Sequence, residues 1–77
     1  MKVRVRFFAS LRERLGCSEA SLDVAAGATV GDIWSQATNG MSVPDNALAA
    51  INMEYVGFDR QIADGDEVAF FPPVTGG

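Results

Sequence analysis

Residues 67–77 read EVAFFPPVTGG, and this stretch decides how the rest of the chain is interpreted. The β-branched and aromatic residues over 67–71 predict a strand whose alternate side chains lie on opposite faces. Pro72 and Pro73 each fix φ and lack a backbone donor, so a sheet ladder ends there and the chain continues extended. We therefore expect a folded body over residues 1–71 and an extended, flexible tail over residues 72–77.

The tail is unusual in its lack of bulk. Gly76 and Gly77 lose much conformational entropy when ordered and add no packing, so a folded core has no use for them. They do form a thin strand that fits a narrow channel in another protein, with the α-carboxylate of Gly77 at its tip. A frayed terminus is the alternative interpretation. The strand, the prolines and the diglycine in succession favour a functional tail.

Composition describes one ordinary globular domain: 77 residues, 48% apolar and 21% charged. There is no long apolar run for a membrane span, and the early cations alternate with apolar residues instead of preceding an apolar block, so no signal peptide is expected. The single cysteine, Cys17, excludes an internal disulfide and fits a reducing cytoplasm. We expect Cys17 to be a small, partly buried apolar residue.

The charges exclude some partners and favour others. A net charge of −4 argues against nucleic acid, because phosphate binding needs a broad cationic surface. Residues 1–14 nevertheless hold five of the six cations. This asymmetry predicts a dipolar surface that orients a protein partner, with a solvated strand face as the alternative.

The chain lacks the parts of a complete active site. It has no histidine and one cysteine, which leaves no Cys/His nucleophile pair and no zinc cluster. Its glycines are too scattered for a phosphate-binding loop. Asp64 and Asp66 flank Gly65, which predicts a turn in preference to a calcium site. We expect no metal or cofactor in this chain and a reaction completed by partner proteins.

The remaining pattern predicts alternating strands and helices. Strict alternation over residues 2–8 indicates a half-buried strand. Ser10 with Glu13 three residues later predicts a short capped helix that ends at Gly16. A second strand follows over 19–24. Thr29 and Asp32 repeat the capping pattern before a longer helix with one apolar face, ending at Asn39-Gly40; that face is formed by Val30, Ile33, Trp34 and Ala37, with Trp34 as the core anchor.

The second half predicts a loop over residues 41–46, a strand over 47–52, a short edge piece at Tyr55-Val56 and a core contact at Ile62. One long helix across a mixed sheet of four or five strands is the economical α+β arrangement for this length. If the first two strands form a hairpin around the short helical turn, the last strand lies parallel beside the first. That arrangement is the β-grasp, or ubiquitin-like, fold.

With the diglycine in place, the chain resembles the MoaD family of ubiquitin-like sulfur carriers, the small subunits of molybdopterin synthase. The resemblance runs from end to end and rests on FFA at 7–9, LRE at 11–13, AAIN at 49–52 and DGDEVAFFPPVTGG at 64–77. The last block is the most specific. Between residues 17 and 46 only the pattern agrees.

The resemblance implies a mechanism. A MoeB-type adenylyltransferase would use ATP to adenylate the Gly77 carboxylate, and a sulfur donor protein would displace AMP and leave a thiocarboxylate. The tail would then enter a large, MoaE-type subunit, where its sulfur attacks cyclic pyranopterin monophosphate. Two deliveries would build the dithiolene of molybdopterin. The implied assembly is a heterotetramer with a carrier at each end of a large-subunit dimer.

Site roles follow from the same resemblance. Gly77 would be the chemical carrier and Gly76 would let the backbone lie flat in the channel. Pro72 and Pro73 would direct the tail away from the sheet, and the channel wall would recognise the side chains of Val74 and Thr75. Three more positions are expected to contact the partner: Phe71 (with core packing as the alternative), Arg12 (with a solvated helix arginine as the alternative) and Tyr55.

Three other functions remain open. A sulfur carrier for thiamine thiazole synthesis would share the fold and tail, although the Phe-Phe-Pro-Pro approach favours molybdopterin. A protein modifier would be joined to lysines through Gly77. A plain binding module would have an inert tail.

Overall fold

The computed structural model describes residues 1–43 and 47–72. The elements, in chain order, are β1 (Lys2–Phe7), α1 (Ala9–Leu15), β2 (Glu19–Asp23), α2 (Val30–Ala37), β3 (Leu48–Ile51), β4 (Glu54–Val56) and β5 (Glu67–Phe71). This confirms the predicted order of elements. Part of the loop predicted over 41–46, including Pro44, lies outside the described residues.

The five strands form one mixed sheet in the order β2-β1-β5-β3-β4. β1 and β2 pair antiparallel around α1, and β5 pairs parallel with β1. On its other side β5 pairs antiparallel with β3, which forms a hairpin with β4. The parallel pairing of the last strand with the first is the one predicted, its place at the centre of the sheet is an added finding, and the fold is the α+β β-grasp.

One face of the sheet packs against α2 and forms the core. Val3, Val5 and Phe7 are buried while the intervening side chains of β1 are exposed, which confirms the predicted alternation. Trp34 is the anchor: its ring lies 5.1 Å from that of Phe70 and 6.1 Å from that of Phe7, both edge-on. Its indole Nε1 donates to the carbonyl oxygen of Met41 at 2.8 Å, so the one polar group of this buried side chain is hydrogen-bonded.

The cap of α2 is the one predicted. The Thr29 hydroxyl accepts from the Asp32 amide at 3.2 Å, and the Asp32 carboxylate accepts from the Thr29 amide at 2.9 Å. The helix ends at Ala37, before the expected Asn39-Gly40. The reason is that Thr38 closes the last turn, with both its amide and its hydroxyl donating to the Trp34 carbonyl at 2.9 and 2.7 Å.

The cap predicted for α1 is wrong. The helix begins at Ala9, its N-cap is Phe8, and no side chain caps it. The Phe8 amide still donates to Phe70 of β5 at 3.1 Å, while the Phe8 carbonyl already accepts from the Leu11 amide at 3.1 Å. The chain thus turns from strand to helix without a linker, taking the bend at Ala9 with φ 52°. Ser10 falls inside the first turn, too late to cap it.

Cys17 is also not where the sequence placed it, because it is exposed instead of partly buried. Gly16 ends α1 with φ 74°, as predicted. The ladder with β1 resumes at Ser18, whose carbonyl accepts from the Phe7 amide at 2.9 Å. Cys17 therefore belongs to the connection and not to the sheet. Ile62, by contrast, is a core residue as expected.

Candidate docking face

The central position of β5 fixes where the chain leaves the body. Phe70 points into the core and is 0% exposed, whereas Phe71 is half-buried on the opposite face. The strand ends at Phe71, and Pro72 is the last described residue. The predicted functional residues Pro73, Val74, Thr75, Gly76 and Gly77 lie outside the described residues, so their roles stay predictions.

The face of the sheet away from α2 carries a depression of about 310 Å³. The strand registers align Arg6 with Ala69, Ala69 with Ala50, and Ala50 with Tyr55. Because the two central side chains are alanines, the larger groups around them enclose a shallow recess. Those groups are Arg6, Phe8, Met53, Tyr55, Glu67 and Phe71. We call these eight residues the open face.

Two residues predicted from sequence meet on this face. The rings of Tyr55 and Phe71 lie 5.5 Å apart and tilted, and Tyr55 is 71% exposed. The outward direction expected for Phe71 is confirmed, and core packing is excluded for it. Whether either residue contacts a partner is untested by the geometry and stays a prediction. An exposed aromatic pair is nevertheless the kind of group that anchors protein interfaces.

Arg12 lies outside the open face. It is an exposed residue of α1 and does not line the open-face depression. Its backbone carbonyl accepts from the Gly16 amide at 3.0 Å, which only closes the helix. Its partner role also stays a prediction.

Sequence reasoning missed three exposed apolar residues on or beside the open face. Phe8 is 39% exposed, and the Arg6 guanidinium lies 5.2 Å above its ring. Leu48 is exposed on β3 opposite Phe71. Met53 projects from the β3–β4 turn. A signal existed for Phe8, since two successive phenylalanines in an alternating strand cannot both face the core.

The acidic turn before β5 is structural. The Asp64 carboxylate accepts from the Lys2 amide at 2.8 Å, and the Asp66 carboxylate accepts from the Ala63 amide at 2.8 Å. Gly65 takes φ 85°, which confirms the predicted turn. Within residues 1–43 and 47–72, no group of three or more His, Cys, Asp or Glu side chains is arranged to hold a metal ion. No helix in this described part is long and apolar enough to cross a membrane.

Comparison with known proteins gives consistent matches over the whole chain. The ThiS family model matches residues 5–77. The molybdopterin synthase sulfur carrier subunit of Escherichia coli K12 is 41% identical, over 97% of this chain and 99% of the relative. The crystal structure of SAMP1 from Haloferax volcanii is 31% identical over all of both chains, with a TM-score of 0.81. A chain in a complex of subunits 1 and 2 of molybdopterin-converting factor from Helicobacter pylori has the same fold, at 20% identity and a TM-score of 0.68.

Proposed function

The chain belongs to the ThiS family, and from that premise we propose that it is the sulfur carrier subunit of a molybdopterin synthase. The observation that carries the proposal is its end-to-end similarity to a relative of that name. The chain does not complete the chemistry alone, because it supplies neither a histidine nor a pair of nucleophile and base. Its contribution is the sulfur and the surface that delivers it.

In the proposed reaction, Gly77 is the group that changes. A carboxylate is a poor electrophile, so a MoeB-type partner first activates it: a carboxylate oxygen bonds to the α-phosphorus of ATP and pyrophosphate leaves. The terminal sulfur of a persulfide on a sulfur donor protein then bonds to the Gly77 carbonyl carbon and AMP leaves. A second thiol forms a disulfide with the donor's inner sulfur, which breaks the sulfur–sulfur bond and leaves Gly77 as a thiocarboxylate. In the large subunit this sulfur attacks cyclic pyranopterin monophosphate, and water then cleaves the acyl–sulfur bond, which leaves the sulfur on the pterin and restores the Gly77 carboxylate. Two such deliveries build the dithiolene. ATP is thus used by the activating partner and is not bound by this chain.

The geometry of the body supports delivery through the open face. Five residues, 73–77, follow the last described position and span at most about 17 Å when extended. Any active site that receives Gly77 must therefore lie within that reach of Pro72. A partner this close covers the sheet around Phe71 and Tyr55, and we propose both as contacts, with Arg12 further along α1. Gly76 has no side chain, so we propose that the tail is narrow enough at this residue to enter a channel in the partner.

The same limit applies to each partner that acts on Gly77. The adenylating enzyme and the large subunit both have to approach Pro72 within the reach of the tail, so we propose that they compete for the open face. The exposed cations of β1 alternate with acids across this face, because Lys2 aligns with Asp23, Arg4 with Glu67 and Arg6 with Glu19; a partner would match this mixed pattern by local charge complementarity. The division into a body over 1–71 and a projecting tail over 72–77 is part of this proposal.

The proposed assembly pairs the carrier with a large, MoaE-type subunit as a heterotetramer. The neighbour from Helicobacter pylori is itself described in a complex with its second subunit, which supports the pairing. We place the protein in the cytoplasm, where an exposed free Cys17 stays reduced.

A second function, protein modification, is favoured by one specific observation: the similarity to SAMP1, a small archaeal modifier protein. Activation of Gly77 would be the same, but a lysine amine would displace the leaving group and form an amide. A thiazole-forming carrier would likewise differ only in its acceptor.

The test reconstitutes the pathway with this chain, a MoeB-type enzyme, ATP, a sulfur donor, the large subunit and cyclic pyranopterin monophosphate. Molybdopterin is measured by mass spectrometry, and a gel of the same mixture with cell protein added reports conjugates. The matched control carries one alanine appended after Gly77, which blocks the carboxylate and leaves the body intact. We expect molybdopterin in the mixture that contains the native chain and none in the mixture that contains the extended chain. Equal product from the extended chain would contradict the tail mechanism, and conjugates without product would favour a modifier.

A further inference from the structure

The turn between β3 and β4 has an unfavourable backbone. Ile51 pairs with Glu54, so the loop consists of two residues, Asn52 and Met53. Both have positive φ, 48° and 73°. This is the conformation of a type I′ hairpin turn, in which Asn is favoured first and Gly second. Methionine at the second position places a Cβ where L residues are strained.

Asn52 has a local reason to be there. Its side-chain oxygen accepts from the Glu67 amide at 3.1 Å, and its side-chain nitrogen donates to the Asp66 carboxylate at 3.1 Å. These bonds fasten the turn to the beginning of β5. Met53 has no comparable reason, because its side chain is apolar and 94% exposed. The fold of the chain alone therefore does not account for a methionine at this position.

The position of Met53 on the open face suggests why a methionine is present there. Met53 lines the open-face depression together with Tyr55 and Phe71. The pairing of β3 with β5 runs from Ile51–Val68 beside the turn to Leu48–Phe71 beside the tail. Three residue steps along a strand are about 10 Å. Met53 thus marks the end of the open face that is farthest from Pro72.

We propose that Met53 is a contact residue for the large subunit, and that the strained turn holds its side chain out for an apolar recess in that partner. The inference rests on the proposed function and extends it to one named residue. A stable interface covers roughly 800 Å² on each protein, so we expect the partner to bury body surface in addition to the five-residue tail. Val68 is four residue steps, about 13 Å, from Pro72, and Met53 lies beyond the Ile51–Val68 pair. A roughly circular patch of about 800 Å² has a radius of about 16 Å, so a partner centred on the tail exit reaches the level of Met53. An unbranched thioether adapts to an apolar recess at small cost.

The proposal predicts opposite effects on stability and binding. Met53→Gly relieves the turn and removes the side chain, so its melting temperature should rise by about 4 °C or more. Its Kd for the isolated large subunit, measured by titration calorimetry, should increase about tenfold. A purely structural residue would not combine these two changes.

Two further variants separate the contact from the strain. Met53→Gln keeps the strained backbone and a similar length but is polar, so binding should weaken about tenfold with the melting temperature unchanged. Met53→Leu keeps an apolar side chain, and its Kd should stay within about twofold of the native value. If the native chain binds and all three variants bind equally well, the inference is wrong while the proposed function stands. If the native chain does not bind the large subunit, the proposed function itself fails.

A second copy of the chain is the other possible occupant of this surface. Sedimentation of the native chain and Met53→Gln, each alone, tests it. We expect both to be monomers. A native dimer that Met53→Gln dissociates, with binding of the large subunit unchanged, would overturn the inference.

Discussion

Phe70 and Phe71 are adjacent in sequence and point to opposite faces of β5, so a pair of alanine substitutions separates folding from docking. Phe70 is fully buried against Trp34, Phe7 and Phe58, with ring centroids 5.1–5.8 Å away. Phe71 touches only Tyr55 among the aromatic residues of the described chain. We expect Phe70→Ala to destabilise the protein by several kcal/mol and Phe71→Ala to leave its stability nearly unchanged.

The magnitudes follow from burial. Truncating a buried phenylalanine costs about 3–5 kcal/mol. A domain of 77 residues is stable by roughly 4–12 kcal/mol in total, so Phe70→Ala removes between about a quarter of the stability and all of it. Phe71→Ala loses one exposed aromatic pair, about 1 kcal/mol. If Phe71 is an anchor of the interface, its loss weakens binding by about 2 kcal/mol, which is roughly 30-fold in Kd.

The assay uses the single tryptophan. Trp34 is buried and hydrogen-bonded, so its fluorescence reports urea unfolding. Calorimetric titration with the large subunit reports docking. The reasoning is refuted if Phe71→Ala binds the large subunit as tightly as the native chain, or if Phe70→Ala proves the milder of the two in urea.

Three further predictions concern single sites. Thr29→Ala removes the cap of α2 and should cost about 1 kcal/mol, lowering the melting temperature by about 4–8 °C in a thermal scan; an unchanged value would contradict the capping role. Gly76→Trp should slow sulfur transfer in a single-turnover assay while urea unfolding stays as in the native chain, and an unchanged transfer rate would argue against a narrow channel. Cys17→Ser should leave sulfur transfer unaltered, since the exposed thiol is not the proposed carrier; collapse of transfer would show a second sulfur site.

Local patterns predicted most of the fold. The alternation along β1 and the reciprocal pairing of Thr29 with Asp32 are short-range signals that the tertiary structure does not override. The parallel pairing of β5 with β1 was expected once β1 and β2 were taken as a hairpin, but the pairing of β5 with β3 on its other side was not predicted. The predictions that were wrong concern residues whose conformation depends on contacts distant in sequence. Ser10 does not cap α1, because the Phe8 amide is still hydrogen-bonded to Phe70 of β5 where the helix begins.

The docking face was only half predictable. Phe71 could be placed outward because alternation fixes its face once a core side is chosen, whereas Tyr55 was predicted only as a contact, with no face assigned. Met53 could not be predicted, because the two features that distinguish it are a backbone φ of 73° and an exposure of 94%, neither of which a sequence pattern encodes. Phe8 was partly predictable. The adjacent Phe7 implies that one of the two rings faces away from the core, but the contact of the Phe8 ring with Arg6 depends on the folded structure.

The central claim is that the reactive atom sits on the last residue and that the body presents it. Intact-mass spectrometry after incubation with ATP, a MoeB-type enzyme and a sulfur donor tests this most directly. We predict a gain of about 16 Da, the replacement of one oxygen by sulfur, located by fragmentation on Gly77. An unchanged mass, or a gain of about 32 Da located on Cys17 as a persulfide, would contradict the account.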